Sequence, residues 1–373
     1  MTTIKQATSK QDIKQFIDFP HDLYANDPQY VPELFMAQKE MLDKKQFPFF
    51  QHSEADFFLA YQGSKVVGRI AAIKNNNYIN YTDNHVGHFG FFDVIEDYEV
   101  AQALFDTAKN WITDKGLQLM GGPYNFSTNE SCGVLVEGFD LPPTLMMTYN
   151  KPYYSEFMEK YGFELDMDLL SYQIYTNDVP EKLTRMSGLI YDRLVTKGIT
   201  IRKANLKKFD EEVDKLYYVY NKAWEKNWGF VPMTEAEFKH SAKDLKLIAD
   251  PDFLLIAEAE GQPVAFSLSL PDLNQPLKRL KKGRLFPFGI FKLLYFKRKI
   301  NRVRVITLGI VEQYRKLGID AYFYAKAFEE CKNKNYEYGD ASWILENNEM
   351  MNKALKNING KIYKKHRLYK KAI

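Results

Sequence analysis

The chain has 373 residues, of which 45% are apolar and 27% charged, and its formal net charge is +3. This length allows about two domains with cores of their own, and so small a net charge gives no overall case for nucleic-acid binding. The two cysteines, Cys132 and Cys331, are far apart and outside any Cys/His cluster, so we expect neither a disulfide framework nor a metal site.

The N-terminal residues 1–19 contain no apolar core of the kind found in secretory signals. No later stretch approaches the ~18 consecutive apolar residues that span a bilayer. We therefore expect a cytoplasmic protein, with the inner membrane surface as a possible site of peripheral contact.

The first half of the chain predicts a mixed α/β unit. Strands at Ala55–Tyr61 and Lys65–Ile73 flank a turn at Gly63, which indicates a β-hairpin. The elements predicted next are a strand at His88–Ile95, an amphipathic helix at Glu99–Lys115, a strand near Leu117–Gly121, a short helix, a glycine and a last strand.

The second half repeats this order. A hairpin at Asp252–Glu260 and Pro263–Leu270 precedes a strand at Val303–Ile310, a helix at Ile319–Asn333 and a strand near Tyr338–Leu345. A short helix, a glycine and a strand again close the unit. Two copies of one α/β unit explain this pattern better than a single large sheet. We expect domains at 1–178 and 198–373, joined by a bridging helix at 179–197.

The clearest chemical signal is the loop Gln313–Ala321, which joins an apolar strand to a helix. A glycine turn that opens a helix directs several backbone N–H groups at one point, and the helix dipole adds positive potential. Arg315 and Lys316 add positive charge beside Gly318. The loop therefore suits a pyrophosphate, although an ordinary strand–helix turn has the same residues.

The strand, the Arg-x-x-Gly loop and the following helix resemble the GNAT superfamily of acyl-CoA N-acyltransferases. The resemblance covers nearly the whole chain and is closest to bacterial tandem-GNAT proteins of poorly defined function. It implies mixed α/β sheets in two tandem units, with acetyl-CoA or another acyl-CoA as substrate and no metal. The implied CoA-binding residues are Leu308, Gly309, Ile310, Arg315, Lys316, Leu317, Gly318, Ile319, Asp320 and Asn348. Asp320 departs from the Gly or Ala usual in the motif.

The catalytic groups are less clearly indicated. The tyrosine that many GNAT members use to protonate the thiolate would fall at Leu355, and the nearest tyrosines are Tyr363 and Tyr369. The candidates for the base that takes the proton of the amine are Glu258, Asp340 and Glu346. We select Glu258, Asp340 and Tyr363, each of which also fits an ordinary structural role.

The first copy lacks the loop, because Glu96 and Asp97 stand where phosphates would lie. We expect it to be degenerate and to shape the acceptor site. Candidate acceptor-binding residues there are Asn125, Ser127 and Asn129, which also fit a surface loop with capped backbone. In the second copy, Trp224 and Trp228 suit either an acceptor wall or a core between helices.

The insert Leu277–Arg304 combines eleven basic residues with an aromatic centre and has no acidic residue. Such a segment suits an anionic membrane surface, a roof over the acceptor pocket, a structured element with a solvated basic face, or an acidic partner such as RNA. We regard nucleic acid as the least favoured of these partners.

The combined expectation is transfer of an acetyl or longer acyl group from CoA to an amine, small or lipid-like, by direct attack. Two alternatives stay open. One is a non-catalytic protein that binds CoA or lipid at a membrane surface. The other is a transferase of the Fem type, which also resembles a tandem GNAT layout but uses aminoacyl-tRNA.

Overall fold

The computed structural model describes all 373 residues. The first half contains nine strands and five helices. In chain order these are β1 (Thr2–Gln6), α1 (Lys10–Leu23), α2 (Phe35–Met41), β2 (Glu54–Gln62), β3 (Lys65–Lys74), α3 (Asn76–Thr82), β4 (Val86–Val94), α4 (Tyr98–Asp114), β5 (Leu119–Gly122), β6 (Tyr124–Asn125), β7 (Ser131–Cys132), β8 (Val134–Glu137), α5 (Tyr153–Tyr161) and β9 (Glu164–Tyr175).

The second half contains six strands and seven helices. These are α6 (Glu181–Thr196), β10 (Ile199–Lys203), α7 (Phe209–Ala223), α8 (Glu235–Lys246), β11 (Leu254–Ala259), β12 (Gln262–Pro271), α9 (Asn274–Leu277), α10 (Gly289–Lys297), β13 (Arg302–Ile310), α11 (Ile319–Asn333), β14 (Tyr338–Leu345), α12 (Glu349–Asn357) and β15 (Lys361–Ala372). None of the helices is long and apolar enough to cross a membrane.

The chain forms two compact units, and these are not simply its two halves. Unit 1 contains Met1–Leu169, Asn274–Arg298 and Lys364–Ile373, whereas unit 2 contains Leu170–Leu273 and Lys299–Tyr363. The centre of the basic insert and the end of the last strand therefore belong to the unit built mainly from the first half. The predicted bridging helix is α6, which packs against α11 within unit 2.

Both units contain the same strand order. In unit 1 the order is β1-β2-β3-β4-β5 followed by the end of β15, and in unit 2 it is β10-β11-β12-β13-β14 followed by the end of β9. The pairs β4–β5 and β13–β14 are parallel, and the helices α4 and α11 connect their strands. The prediction of two tandem copies of one mixed α/β unit is confirmed.

The cores follow from the burial patterns of these elements. In unit 1, α4 buries Leu104, Phe105 and Ala108 against β3 and β4. In unit 2, α11 buries Ile319 and Phe323 against strand residues such as Ala257 and Val264, and α6 adds Leu194. One face of each sheet is thereby covered by its connecting helix, and the turn that begins this helix is fixed in place.

Candidate functional site

The loop between β13 and α11 leaves its backbone donors unused. The N–H groups of six consecutive residues, Lys316 to Ala321, donate no hydrogen bond within the protein, and the first intrahelical bond is from the N–H of Tyr322 to the carbonyl of Gly318. All six residues except Ile319 are at least partly exposed. Such donors at the start of a helix form a binding site for an anion.

The backbone of this 316–321 loop depends on two unusual conformations. Lys316 has a φ of 64° and Gly318 a φ of 97°, both in the left-handed region. A side chain on Gly318 would be strained, and its Cβ would also lie 3.3 Å from Cγ2 of Ile190. Glycine at this position therefore allows the sharp turn that opens α11.

The start of helix α4 in unit 1 can be compared with the start of helix α11, where the backbone N–H groups are free. There Asp97 precedes α4, and its carboxylate accepts a hydrogen bond of 3.0 Å from the N–H of Glu99. An N-cap carboxylate satisfies one of the donors that an anion would need and repels a phosphate. At the corresponding start of α11, Gly318 offers no side-chain cap. The expectation that only the second copy binds CoA stays a prediction, and this contrast supports it.

Arg315 and Asp320 have roles that the sequence did not indicate. The guanidinium of Arg315 donates to the carbonyl oxygens of Ala223 at 2.6 Å and Ile310 at 3.2 Å, so it ties the loop to the end of α7. The carboxylate of Asp320 has no hydrogen-bond or ion-pair partner, and its charge contributes, after burial, to raising the pKa of Tyr324. Lys316, which belongs to this loop, is exposed.

The strand before the loop diverges from its parallel neighbour. β13 pairs with β14 only from Arg302 and Tyr338 to Val305 and Ala341. On its other side, β13 continues to pair with β12 as far as Ile310 opposite Ala265. The backbone of residues 306–310 therefore has one edge without a strand partner. This edge includes the predicted CoA-binding residues Leu308, Gly309 and Ile310.

A buried polar cluster lies where the two strands are still paired. Arg304 on β13 stands opposite Asp340 on β14, and both are buried. The guanidinium of Arg304 donates to the hydroxyl of Ser342 at 3.0 Å and to its carbonyl at 3.1 Å, and the hydroxyl of Tyr363 donates to Asp340. The structure thus brings together two of the three predicted catalytic residues, Asp340 and Tyr363.

Arg304 and Ser342 are members of this cluster that the sequence analysis missed. The signal for Arg304 is alternation, because Arg302 and Arg304 alternate with Val303 and Val305, and Val303 packs in the core with Cys331 of α11. A charged residue at every second position of a central strand places its charge on one face of the sheet. This face is opposite the one that α11 covers.

Glu258, the third predicted catalytic residue, is held by ion pairs. Its carboxylate accepts hydrogen bonds from Arg202 at 2.8 Å and 3.0 Å and from Lys215 at 2.7 Å. The hydrogen bonds from Arg202, aided by Lys215, lower the pKa of Glu258 to about 2. A carboxylate with so low a pKa is a weak base, so this environment weighs against its assigned role.

The remaining residues from the family motif have structural contacts. The side chain of Asn348 accepts a hydrogen bond of 3.1 Å from the N–H of Met351 and so caps α12. Leu355 is fully buried in the core of unit 2. Tyr369 donates to Glu159 at 3.1 Å within unit 1, which leaves Tyr363 as the tyrosine next to Asp340.

The predicted acceptor residues of unit 1 bond to their own loop and to strand β4. The amide of Asn125 accepts from the N–H of Phe91 at 2.7 Å and donates to Ser131 at 3.0 Å. The hydroxyl of Ser127 donates to Glu130 at 2.7 Å and accepts from the N–H of Asn129 at 3.0 Å. These contacts are the ones expected of a loop that caps its own backbone, and acceptor binding there stays a prediction.

The predicted acceptor residues of unit 2 differ in their surroundings. The ring of Trp224, at the end of α7, covers Gly309, where an added Cβ would lie 2.2 Å from two ring carbons. Its ring also lies 5.0 Å from that of Tyr220 and 6.0 Å from that of Phe266, measured between centroids. Trp228 is partly exposed. Trp224 therefore forms a wall beside the unpaired end of β13.

No cluster of three or more His, Cys, Asp or Glu side chains that could hold a metal ion occurs among the 373 residues. Both cysteines are buried free thiols, and burial raises the pKa of Cys331 to about 12. Neither thiol is therefore in a state suited to nucleophilic attack at neutral pH.

Comparison with known proteins gives two close relatives over the full length. The chain is 35% identical over 379 residues to Protein YghO of Escherichia coli (strain K12), covering 99% of this chain and 95% of that protein. It is 34% identical over 370 residues to the bacterial ceramide synthase of Caulobacter vibrioides (strain NA1000 / CB15N), covering 97% and 95%. No family model matches the chain.

Solved structures show the same fold at low identity. A tandem GNAT protein from the clavulanic acid biosynthesis pathway aligns with 100% of this chain and 98% of its own, with a TM-score of 0.59 and 10% identity. A GCN5-related N-acetyltransferase from Sphaerobacter thermophilus aligns with 100% and 95%, with a TM-score of 0.54 and 12% identity. The strand order, the helix placement and this structural similarity show that the chain has the tandem GNAT fold. Because two relatives are more than 30% identical over nearly the full length, the chain belongs to the family of Protein YghO and the bacterial ceramide synthase.

Proposed function

We propose that this protein transfers an acyl group from an acyl-CoA to the amino group of a lipid-like amine, by direct attack of the amine on the thioester. The observation that carries the proposal is the 316–321 loop, whose six N–H groups have no acceptor in the protein. A pyrophosphate supplies several anionic oxygens at the spacing of adjacent amides. Lys316 adds a positive charge at the same place.

The unpaired edge of β13 extends the proposed site. The backbone of Leu308–Ile310 would hydrogen-bond the pantetheine arm, as an added strand would. The thioester would then lie near the point where β13 and β14 diverge, after Val305 and Ala341. Backbone N–H groups in this position would stabilise the oxyanion that forms when the amine attacks.

The chemistry requires one proton to leave the amine and one to reach the thiolate. The amine nitrogen forms a bond to the thioester carbon while the C–S bond breaks. The amine loses one proton and the CoA thiolate gains one, so no other proton donor or acceptor is needed. We assign both transfers to the hydrogen-bonded pair of Asp340 and Tyr363. Arg304 lies opposite Asp340 on the neighbouring strand, and Ser342 holds its guanidinium there.

The acceptor class is proposed from the Caulobacter relative. That protein is called a bacterial ceramide synthase, and a ceramide is the amide of a long-chain amino alcohol and a fatty acid. Identity of 34% over 97% of this chain supports a related acceptor, namely a primary amine on a lipid-like chain, and a long acyl donor. An acetyl group on a small amine is the second possibility within the same chemistry.

The proposal is tested by thiol release from acetyl-CoA and a long-chain acyl-CoA, each with small amines and with long-chain amino alcohols. We expect turnover that is greatest for the long-chain pair and that is lost in Gly318→Trp, whose side chain would fill the start of α11. Circular dichroism of this variant checks that it folds.

The two rival functions give different results in the same assays. CoA binding without turnover for any amine would support the non-catalytic CoA- or lipid-binding protein and contradict our proposal. Product formation from aminoacyl-tRNA, with no measurable affinity for CoA, would instead support a transferase of the Fem type.

A further inference from the structure

The aromatic lobe, which we define as residues 285–298, exposes an apolar surface that no part of the protein covers. Three phenylalanines of the chain are exposed, and all three lie here, namely Phe286, Phe288 and Phe291. Phe288 is 72% exposed and Phe291 67%. Large apolar side chains clustered at the surface are typical of an interaction site.

The arrangement of these side chains comes from helix α10. Phe288, Phe291 and Tyr295 are spaced three and four residues apart, so they share one side of the helix, and Leu294 lies beside them. None of the residues of α10 is buried. A helix that packs on the protein core would bury one face, and this helix buries none.

The base of the lobe is nevertheless firmly attached to unit 1. Arg284 donates to Asp18 at 2.7 Å, and its guanidinium lies 4.0 Å from the ring centroid of Phe35. Lys282 pairs with Asp22 at 2.7 Å, and an added Cβ on Gly283 would meet the carbonyl of Glu33. The helix is therefore presented from a fixed base.

The charges of the lobe specify the kind of partner. The side chains of Lys292 and Arg298 in the lobe, and of Lys281 just before it, are exposed and form no ion pair or hydrogen bond. Residues 274–304 include no acidic residue. Aromatic rings between uncompensated cations match the interface of a bilayer with anionic headgroups, where rings enter the headgroup region and cations contact phosphates.

We propose that the aromatic lobe docks the protein on an anionic membrane surface. Phe286, Phe288, Phe291 and Leu294 would enter the interface, and Lys292 and Arg298 would contact the headgroups. This inference goes beyond the proposed function, because the lobe would bind a membrane whether or not the protein transfers acyl groups.

Vesicle co-sedimentation tests the proposal without any measurement of activity. The full chain is mixed with vesicles of phosphatidylcholine alone or of phosphatidylcholine with phosphatidylglycerol. We expect binding to the anionic vesicles that falls with added salt. The double variant K292S/R298S should bind roughly 25-fold more weakly, at about fivefold per cation, and F288S/F291S should lose binding to the anionic vesicles.

Matched controls are available elsewhere on the surface. Leu189 on α6 is 70% exposed, and Lys65 and Lys353 are exposed without ion pairs. Leu189→Ser and the double variant K65S/K353S should bind vesicles like the unmodified protein. Equal loss in the control and lobe variants would overturn the proposal, and so would retention on RNA or self-association through the lobe in place of vesicle binding.

A fluorescent label measures insertion directly. Because Cys132 and Cys331 are both buried, a cysteine introduced by Leu294→Cys can be labelled selectively with an environment-sensitive dye. We expect its emission to shift to shorter wavelength with anionic vesicles, whereas a label at Leu189→Cys should not respond. An unchanged spectrum at position 294 in the presence of anionic vesicles would contradict docking through the lobe.

Discussion

The indole ring of Trp224 lies directly over Gly309, so that a methyl group on this glycine would come within 2.2 Å of two ring carbons. Only a residue without a side chain fits between strand β13 and the end of helix α7. The ring thereby stays beside the backbone that we propose holds the pantetheine arm, and the fit at this position can be tested by one substitution.

Gly309→Ala should displace Trp224 and disturb the site. Overpacking of this kind destabilises by about 1–3 kcal/mol, and the shifted ring should lower kcat/KM for acyl transfer. Gly339→Ala is the matched control on the neighbouring strand, since its Cβ would meet Val303 at an ordinary 3.7 Å. The added substitution Trp224→Leu should restore the stability of Gly309→Ala, and no rescue would show that the clash lies elsewhere.

Tyr363→Phe and Asp340→Asn should each lower kcat by about a hundredfold or more, as expected when a general acid or base is removed. Each variant should also change the pH profile of kcat, because the pair that exchanges the protons is broken. CoA affinity should stay close to that of the unmodified protein. Titration calorimetry with CoA and a thiol-release assay across pH measure these effects.

Tyr369→Phe is the control for this pair, because the hydroxyl of Tyr369 donates to Glu159 in unit 1. Full activity is expected. If Tyr363→Phe kept both the kcat and the pH profile of the unmodified protein, the assignment of proton transfer to Tyr363 would be withdrawn.

Gly318→Ala should weaken CoA binding. The residue has a φ of 97°, so alanine there costs about 1 kcal/mol of stability and alters the direction of the free amides. Gly63→Ala in the hairpin of unit 1 is the control, since Gly63 has a φ of 61° and nothing lies within 4 Å of an added Cβ. Both variants should lose similar stability in urea unfolding, but only Gly318→Ala should lose CoA affinity in calorimetry. Unchanged CoA affinity in Gly318→Ala would count against the loop as the binding site.

Glu258 should contribute to stability in a pH-dependent way. Its pKa is about 2 in the folded protein against 4.5 ordinarily, so the carboxylate stabilises the fold fully above pH 4.5, and this contribution is lost as the pH falls towards 2. The shift corresponds to about 3 kcal/mol as an order of magnitude. The difference in unfolding free energy between the unmodified protein and Glu258→Gln should be large at pH 7 and narrow below pH 4.5.

Glu164→Gln provides the reference for this measurement, because Glu164 is exposed and has no ion pair. Its unfolding free energy should match that of the unmodified protein at every pH. A difference for Glu258→Gln that stayed constant from pH 7 down to pH 3 would contradict the low pKa.

The fold was largely accessible from the sequence because apolar alternation and glycine turns mark the hairpins directly. The predicted helix Ile319–Asn333 matches α11 residue for residue, and the predicted strand Lys65–Ile73 ends one residue before β3 does. Local patterns of this kind depend only on neighbouring residues, and the sequence contains all of them.

The candidate site was less accessible because it depends on contacts between distant residues. The sequence indicated the loop at Gly318, but it did not reveal that Arg315 bonds to Ala223 in another helix or that Glu258 pairs with Arg202. Likewise, Asp340 and Tyr363 were selected separately, and only the structure shows that the hydroxyl of Tyr363 donates to Asp340.

The ends of strands β9 and β15 determine how the protein can be divided. Residues 170–175 complete unit 2, although they precede most of it in the chain, and residues 364–373 return to complete unit 1. A cut in the linker near residue 178 would give two fragments, each carrying the other's final strand and lacking its own. Neither fragment would have a complete sheet, so independent expression of the halves should fail, whereas mixing both fragments should allow them to complement each other.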